Sequence, residues 1–151
     1  METRTETVMI VDASRSSRET LAAMMSDAGY HVVAVADGRE ALQRGLLAGE
    51  IDLLVCDQDA GTMEGTQLLR SVRAALLRTA AIMVTYSQSQ QLVIEWLRLG
   101  GDDFFLKPVD PRCFLPAAEA AIYSSRHKVR LLWIARPKPG PDLGGVHPHN
   151  E

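Results

Sequence analysis

Short apolar runs alternate with amphipathic stretches along most of the chain. Residues 7–11 (TVMIV), 30–35 (YHVVAV), 53–56 (LLVC), 80–84 (AAIMV) and 104–106 (FFL) read as strands. The third has no polar alternation, which suits a central parallel strand covered on both faces. Between them the spacing turns helical. Ser16 and Glu19 form a candidate capping box ahead of Leu21, Met25 and Ala28, with Gly29 as the stop. Ala41, Leu42 and Leu46 share one face of a second helix over residues 39–47. Leu68, Leu69, Val72 and Leu76 form the stripe of a third over 66–77, with Arg70 and Arg73 on the other side. Leu92, Trp96 and Leu99 align in a fourth over 88–99, closed by Gly100 and Gly101. Asp110 and Pro111 suit the cap and first position of a fifth helix, while Pro116 predicts a kink or a later start near Phe114.

Strand and helix alternate five times, and such connections require right-handed crossovers onto a parallel sheet. The expected fold is a doubly wound α/β sandwich around a five-stranded parallel sheet. A chain of 151 residues suits one domain with a real core. A formal net charge of −3 argues against a dedicated nucleic-acid binder, and no apolar run is long enough for a transmembrane helix. The start, METRTETVMIVD, lacks the order of a signal peptide, so a cytoplasmic protein is expected. Cys56 and Cys113 belong to no paired metal or redox motif, and both are expected to be buried and inert.

Four of the strands end in a side chain with useful chemistry: Asp12, Asp57, Thr85 and Lys107. In open α/β sheets ligands bind outside the carboxyl ends of the strands. From the stretch around Asp57 alone, a turn-capping aspartate and a reactive one are equally good readings. Two carboxylates, a hydroxyl and an ammonium on one sheet edge favour chemistry. A divalent cation would make the close carboxylates tolerable, and a hard oxygen site with few protein ligands suits Mg²⁺. Asp57 could then attack phosphorus, with Lys107 and Thr85 stabilising the phosphoryl oxygens.

VMIVD, VADGREAL, VCDxxxxxMEG, IMVT and GGDDFFLKP follow one another in an order that resembles the receiver domain of bacterial two-component response regulators. The resemblance spans residues 7–125 and leaves 126–151 as a basic, Pro/Gly-rich extension. It implies a flavodoxin-like (βα)5 fold with strand order 2-1-3-4-5. By the same resemblance Asp57 is the phosphoacceptor, Asp12 a metal-site acid, Thr85 the switch hydroxyl, Lys107 the phosphate-binding lysine and Phe104 the aromatic switch position. The implied partner is a sensor histidine kinase or a histidine phosphotransfer protein, and the protein would be a signalling module rather than an enzyme.

The departures from that pattern carry their own expectations. Ala13 stands where a second acidic residue is usual, which should weaken Mg²⁺ binding; Asp59 is a candidate substitute metal ligand. Gly61 replaces the usual proline, so the loop after Asp57 should be less rigid. Tyr86 is placed to crowd the pocket. Ile94, Trp96 and Leu97 make the fourth helix apolar on more than one face, which marks an interface candidate, including a homodimer through the fourth helix, fifth strand and fifth helix. Trp96 filling the core is the competing reading. The insert LLWI at 131–134 would extend the last helix or dock on the sheet edge, PKPGPDLGG reads as a linker or tail, and His147 and His149 are weak metal candidates. Two further functions compete: a pseudo-receiver that binds proteins without phosphorylation, and a haloacid-dehalogenase-type phosphatase with Asp59 as general acid.

Overall fold

The structure is a computed structural model and describes residues 4–134, with side chains placed as far as His127. Five parallel strands form the central sheet: β1 (Thr7–Val11), β2 (His31–Val35), β3 (Leu53–Cys56), β6 (Ala80–Thr85) and β7 (Asp103–Leu106). A two-residue hairpin, β4 (Asp59–Ala60) and β5 (Met63–Glu64), stands apart from the sheet. The order β2-β1-β3-β6-β7 is therefore the expected 2-1-3-4-5, with the hairpin taking two numbers.

Strand side chains alternate between two cores, as the two-residue period of a pleated sheet requires. Val8, Ile10, Leu53, Val55, Ala80, Ile82 and Val84 face α1 (Arg15–Asp27) and α5 (Pro111–Ile134). Met9, Val11, Leu54, Cys56, Ala81 and Met83 face α2 (Gly38–Ala41), α3 (Gly65–Ala74) and α4 (Gln90–Arg98). Burial on both faces explains why these strands read as unbroken apolar runs.

Several local expectations are corrected. The cap of α1 is Ser14, whose hydroxyl accepts from the Ser17 amide; Ser16 only pairs with the Ser14 hydroxyl. The second helix stops as a regular helix at Ala41 and continues through a wider π-type turn over Leu42–Leu46, since Gly45 (φ 107°) leaves the helical region. The third ends at Ala74, and Leu76 takes φ 59° and stands 89% exposed instead of joining the buried stripe. The last helix begins at Pro111 despite Pro116, whose missing donor would have served Arg112, an exposed residue whose carbonyl water can satisfy. That helix runs through the expected boundary at 126 and takes the 131–134 insert into itself. The linker reading and the two terminal histidines lie outside the described residues.

Arg73 closes the amino-terminal end of β6. Its guanidinium donates to the carbonyls of Leu77 (2.9 Å), Thr79 (2.8 Å) and Gly100 (2.8 Å) and lies 3.8 Å from Asp102, which itself accepts from the Ala81 amide at 2.8 Å. Methionine keeps the stem but strips three carbonyls of their donor. Arg73→Met is expected to cost about 2 kcal/mol, read as a lower urea midpoint with unchanged slope. An unshifted midpoint would show that water replaces the guanidinium without loss.

Candidate functional site

Parallel register brings the strand ends to one edge. Val11 pairs with Cys56, Cys56 with Met83, and Thr85 with Leu106, so the next residues of β1, β3 and β7 are neighbours. Backbone bonds continue the ladder past the strands: the Asp12 amide donates to Val35, that of Asp57 to Val11 and that of Lys107 to Thr85.

At this edge the Lys107 ammonium lies 2.7 Å from Asp12 Oδ2 and 2.5 Å from Asp57 Oδ2. The three side chains are 5%, 2% and 12% exposed in that order, so the lysine neutralises a carboxylate pair that water barely reaches. Burial pulls the Lys107 ammonium down, but hydrogen bonds and charge from Asp12 and Asp57 outweigh it, leaving its pKa above the ordinary lysine value. The outer oxygens are also held: Asp12 Oδ1 accepts from the Ser14 amide at 2.9 Å and Asp57 Oδ1 from the Asp59 amide at 3.2 Å. Thr85 is buried at the adjoining strand end, where its hydroxyl accepts from the Ser87 amide. Cys56 lies directly beneath; burial, then the Asp57 and Asp12 charges, push its thiol far up and leave it inert. Cys113 is exposed, contrary to expectation, because it lies in the outward-facing first turn of α5.

The remaining candidates separate. Asp59 does not join the acidic pair: its carboxylate accepts from the Gly61 amide at 3.3 Å, and its carbonyl accepts from the Ala13 amide at 3.2 Å. Among the described residues no group of three or more His, Cys, Asp or Glu side chains is arranged around a common point to hold a metal. Tyr86 stands mostly exposed, with its ring centroid 5.3 Å from the Lys107 ammonium. Phe104 is half-buried against the α2/α3/α4 core.

Trp96 is fully buried and cannot be an interface residue. Its indole Nε1 donates to the Asp103 carbonyl at 2.9 Å, and a Cβ at position 101 would overlap the ring, which is why glycine follows the helix there. Ile94 and Leu97 do stand half-exposed on the outer side of α4.

Gly61 sits at the turn of the hairpin that follows Asp57. Its φ of +75°, closed to proline, turns the hairpin so that the Thr62 amide (2.8 Å) and hydroxyl (3.1 Å) both reach the Asp37 carboxylate. The sequence reading missed this contact. Its only trace there was the Asp-Gly pair after the second strand.

Fold and pocket define a doubly wound α/β domain with a lysine-bridged aspartate pair at the carboxyl edge of its sheet. The model of the response regulator receiver domain matches residues 8–119, and the chain belongs to that family, the receiver domains of two-component signalling. The transcriptional regulatory protein DltR of Streptococcus agalactiae (serotype III, strain NEM316) is 31% identical over 103 residues, 68% of this chain and 46% of DltR. The regulator of RpoS of Escherichia coli (strain K12) is 33% identical over 103 residues, 68% of this chain and 30% of that protein. The chain thus spans less than half the length of these relatives. Among solved structures, the CheY-like receiver domain of Methanospirillum hungatei JF-1 superposes with a TM-score of 0.76 at 25% identity, covering 83% of this chain and 99% of that one. Chemotaxis regulator CheY4 of Vibrio cholerae gives 0.69 at 29% identity, covering 78% and 99%. No helix among the described residues is long and apolar enough to cross a membrane.

Proposed function

We propose that Asp57 accepts a phosphoryl group from a phosphohistidine on a sensor kinase or phosphotransfer protein, and that the chain signals by changing its α4–β7 surface. The observation that carries this reading is the Lys107 ammonium shared by Asp12 and Asp57 at the open edge of the sheet. A carboxylate oxygen of Asp57 bonds to phosphorus as the N–P bond breaks, and the electron pair stays on the imidazole nitrogen. Lys107 then faces negative charge on the phosphoryl oxygens, and the Thr85 hydroxyl, which accepts from the Ser87 amide, can donate its own proton to one of them. Asp12 holds Lys107 in place throughout.

Two hard carboxylates at an edge open to a phosphoryl group fit Mg²⁺, which commonly takes one or two carboxylates together with phosphate oxygens. Asp12 and Asp57 would hold it, and it would offset phosphoryl charge. Without a third acid, and with the Asp59 carboxylate turned to Gly61, its affinity should be low. The phosphatase alternative loses its general acid for the same reason. The protein is read as a cytoplasmic signalling module, without turnover chemistry and without direct nucleic-acid or membrane contact. Half-exposed Ile94 and Leu97 and half-buried Phe104 would belong to the responsive surface, which would serve an output partner or a homodimer through α4, β7 and α5.

Incubation with acetyl phosphate and Mg²⁺ should add one phosphoryl group to the intact mass of the wild type and none to Asp57→Asn. An unmodified wild type under conditions that label an ordinary receiver would return the chain to the class of phosphorylation-independent binding modules.

A further inference from the structure

Asp37 lies outside the acidic pocket, just past the end of β2, yet its carboxylate accepts two hydrogen bonds from the loop that follows the phosphoacceptor. Its Oδ1 caps α2 by accepting from the Arg39 amide at 2.8 Å. Its two oxygens also take both donors of Thr62, the tip of the β4–β5 hairpin. The Thr62 amide, the Arg39 amide and the Thr62 hydroxyl together hold its carboxyl below the usual aspartate range, so it is charged at neutral pH.

The hairpin around that tip is built to close on Asp37. A Cβ at position 61 would stand 2.6 Å from Asp37 Oδ2 and 3.1 Å from the Ala36 carbonyl, and a Cβ at 38 would overlap the Met63 side chain. The first approach, at φ +75°, favours glycine, and the second would push the Met63 side chain aside. At its other end the same hairpin begins at Asp59, whose amide holds Asp57 Oδ1 and whose carbonyl accepts from Ala13. One two-stranded ribbon, paired Asp59 to Glu64 and Ala60 to Met63, thus connects Asp37 to the reacting carboxylate.

We propose that Asp37 is a positioning residue for phosphoryl transfer: by latching Thr62 it fixes the hairpin, and the hairpin's Asp59 amide fixes the rotamer of Asp57. This rests on the reading of Asp57 as the phosphoacceptor. The replacement of proline by Gly61 belongs to the same device, because rigidity that a ring would give the loop is here supplied by a carboxylate from another element. An isolated two-stranded hairpin is at best marginally stable, so it needs such an anchor.

The full chain is tested with acetyl phosphate and Mg²⁺, following labelling by intact mass and amide hydrogen exchange by NMR. Asp37→Ser keeps an oxygen to cap α2 but is too short to reach Thr62. It should lower the maximal labelling rate about tenfold with unchanged half-saturation by acetyl phosphate, because a displaced reacting group costs rate rather than donor binding. The Asp59 and Thr62 amides should exchange faster while those of β1 and β3 do not. Gly61→Ala, which keeps the Asp37 carboxylate but sets a Cβ against the latch, should reproduce the slowing, and Thr62→Ser, which keeps both donors, should stay within about twofold of wild type. If the wild type is not labelled at all, the phosphoacceptor reading fails and the latch with it. If the wild type is labelled and Asp37→Ser labels equally fast, or labels slowly without faster exchange at Asp59, the latch alone is overturned.

Discussion

Trp96→Ala is expected to lower the unfolding free energy by about 3–5 kcal/mol, the range for emptying a large aromatic side chain from a closed core. The site cannot collapse easily, because Trp96 packs among Leu68, Leu69, Leu92 and the sheet residues of the α2/α3/α4 core, and Gly101 is shaped around its ring. The substitution also strips the Asp103 carbonyl of its indole donor, which ties α4 to β7. Urea unfolding at two protein concentrations measures this. The loss should be the same at both, whereas a residue whose worth came from a dimer contact would show a concentration-dependent effect. A midpoint within error of wild type would mean that the ring is not the keystone of this core. Substituting Ile94 or Leu97, both half-exposed, should leave the midpoint near that of wild type.

The second large effect comes from the pocket. Lys107→Met should cost about 3 kcal/mol at neutral pH, because it leaves two mostly buried carboxylates facing each other without their shared cation. A lysine whose folded pKa lies above its unfolded value contributes fully below the unfolded value and loses that contribution only as pH rises through the folded one. Wild-type stability should therefore show no change from this group around neutral pH and a decline only in strong alkali. Denaturant unfolding of both proteins at neutral pH, and of the wild type up into alkali, decides it: a variant midpoint within error of wild type would show that Lys107 does not hold the two carboxylates together.

Much of the architecture was legible because it rests on periodicity. Doubly covered strands need apolar residues on both faces, so the runs at 7–11, 53–56 and 80–84 announced a parallel sheet, and the alternation with helices announced a doubly wound sandwich, while the strand order followed only from the resemblance to receiver domains. The site was legible for a related reason. A parallel register carries successive strand ends to one edge, so naming the residues after each run also named Asp12, Asp57 and Lys107 as neighbours.

Helix ends and side-chain destinations were not legible to the same degree. The stripe that included Leu76 could not reveal that the chain turns left-handed there, because that choice depends on bonds closing the turn at Arg73 and Val72. Trp96 was ambiguous because an apolar residue on a helix looks the same whether it meets a core or a partner; only the space above Gly101 and the Asp103 carbonyl that accepts from the indole decide. Asp59 was placed by spacing near the acidic pair, but the turn of the two-stranded hairpin supplies its carboxylate with a nearer partner in the Gly61 amide.

The amino-acid sequence by itself determined the layer order of this protein and the edge on which its chemistry falls, because both follow from the spacing of apolar residues along single elements. Tertiary structure alone decided which groups are held by which. The union of Asp37 with Thr62, the pairing of one lysine with two aspartates, and the burial of Trp96 each join residues far apart in the chain, where distance in sequence says nothing about distance in space.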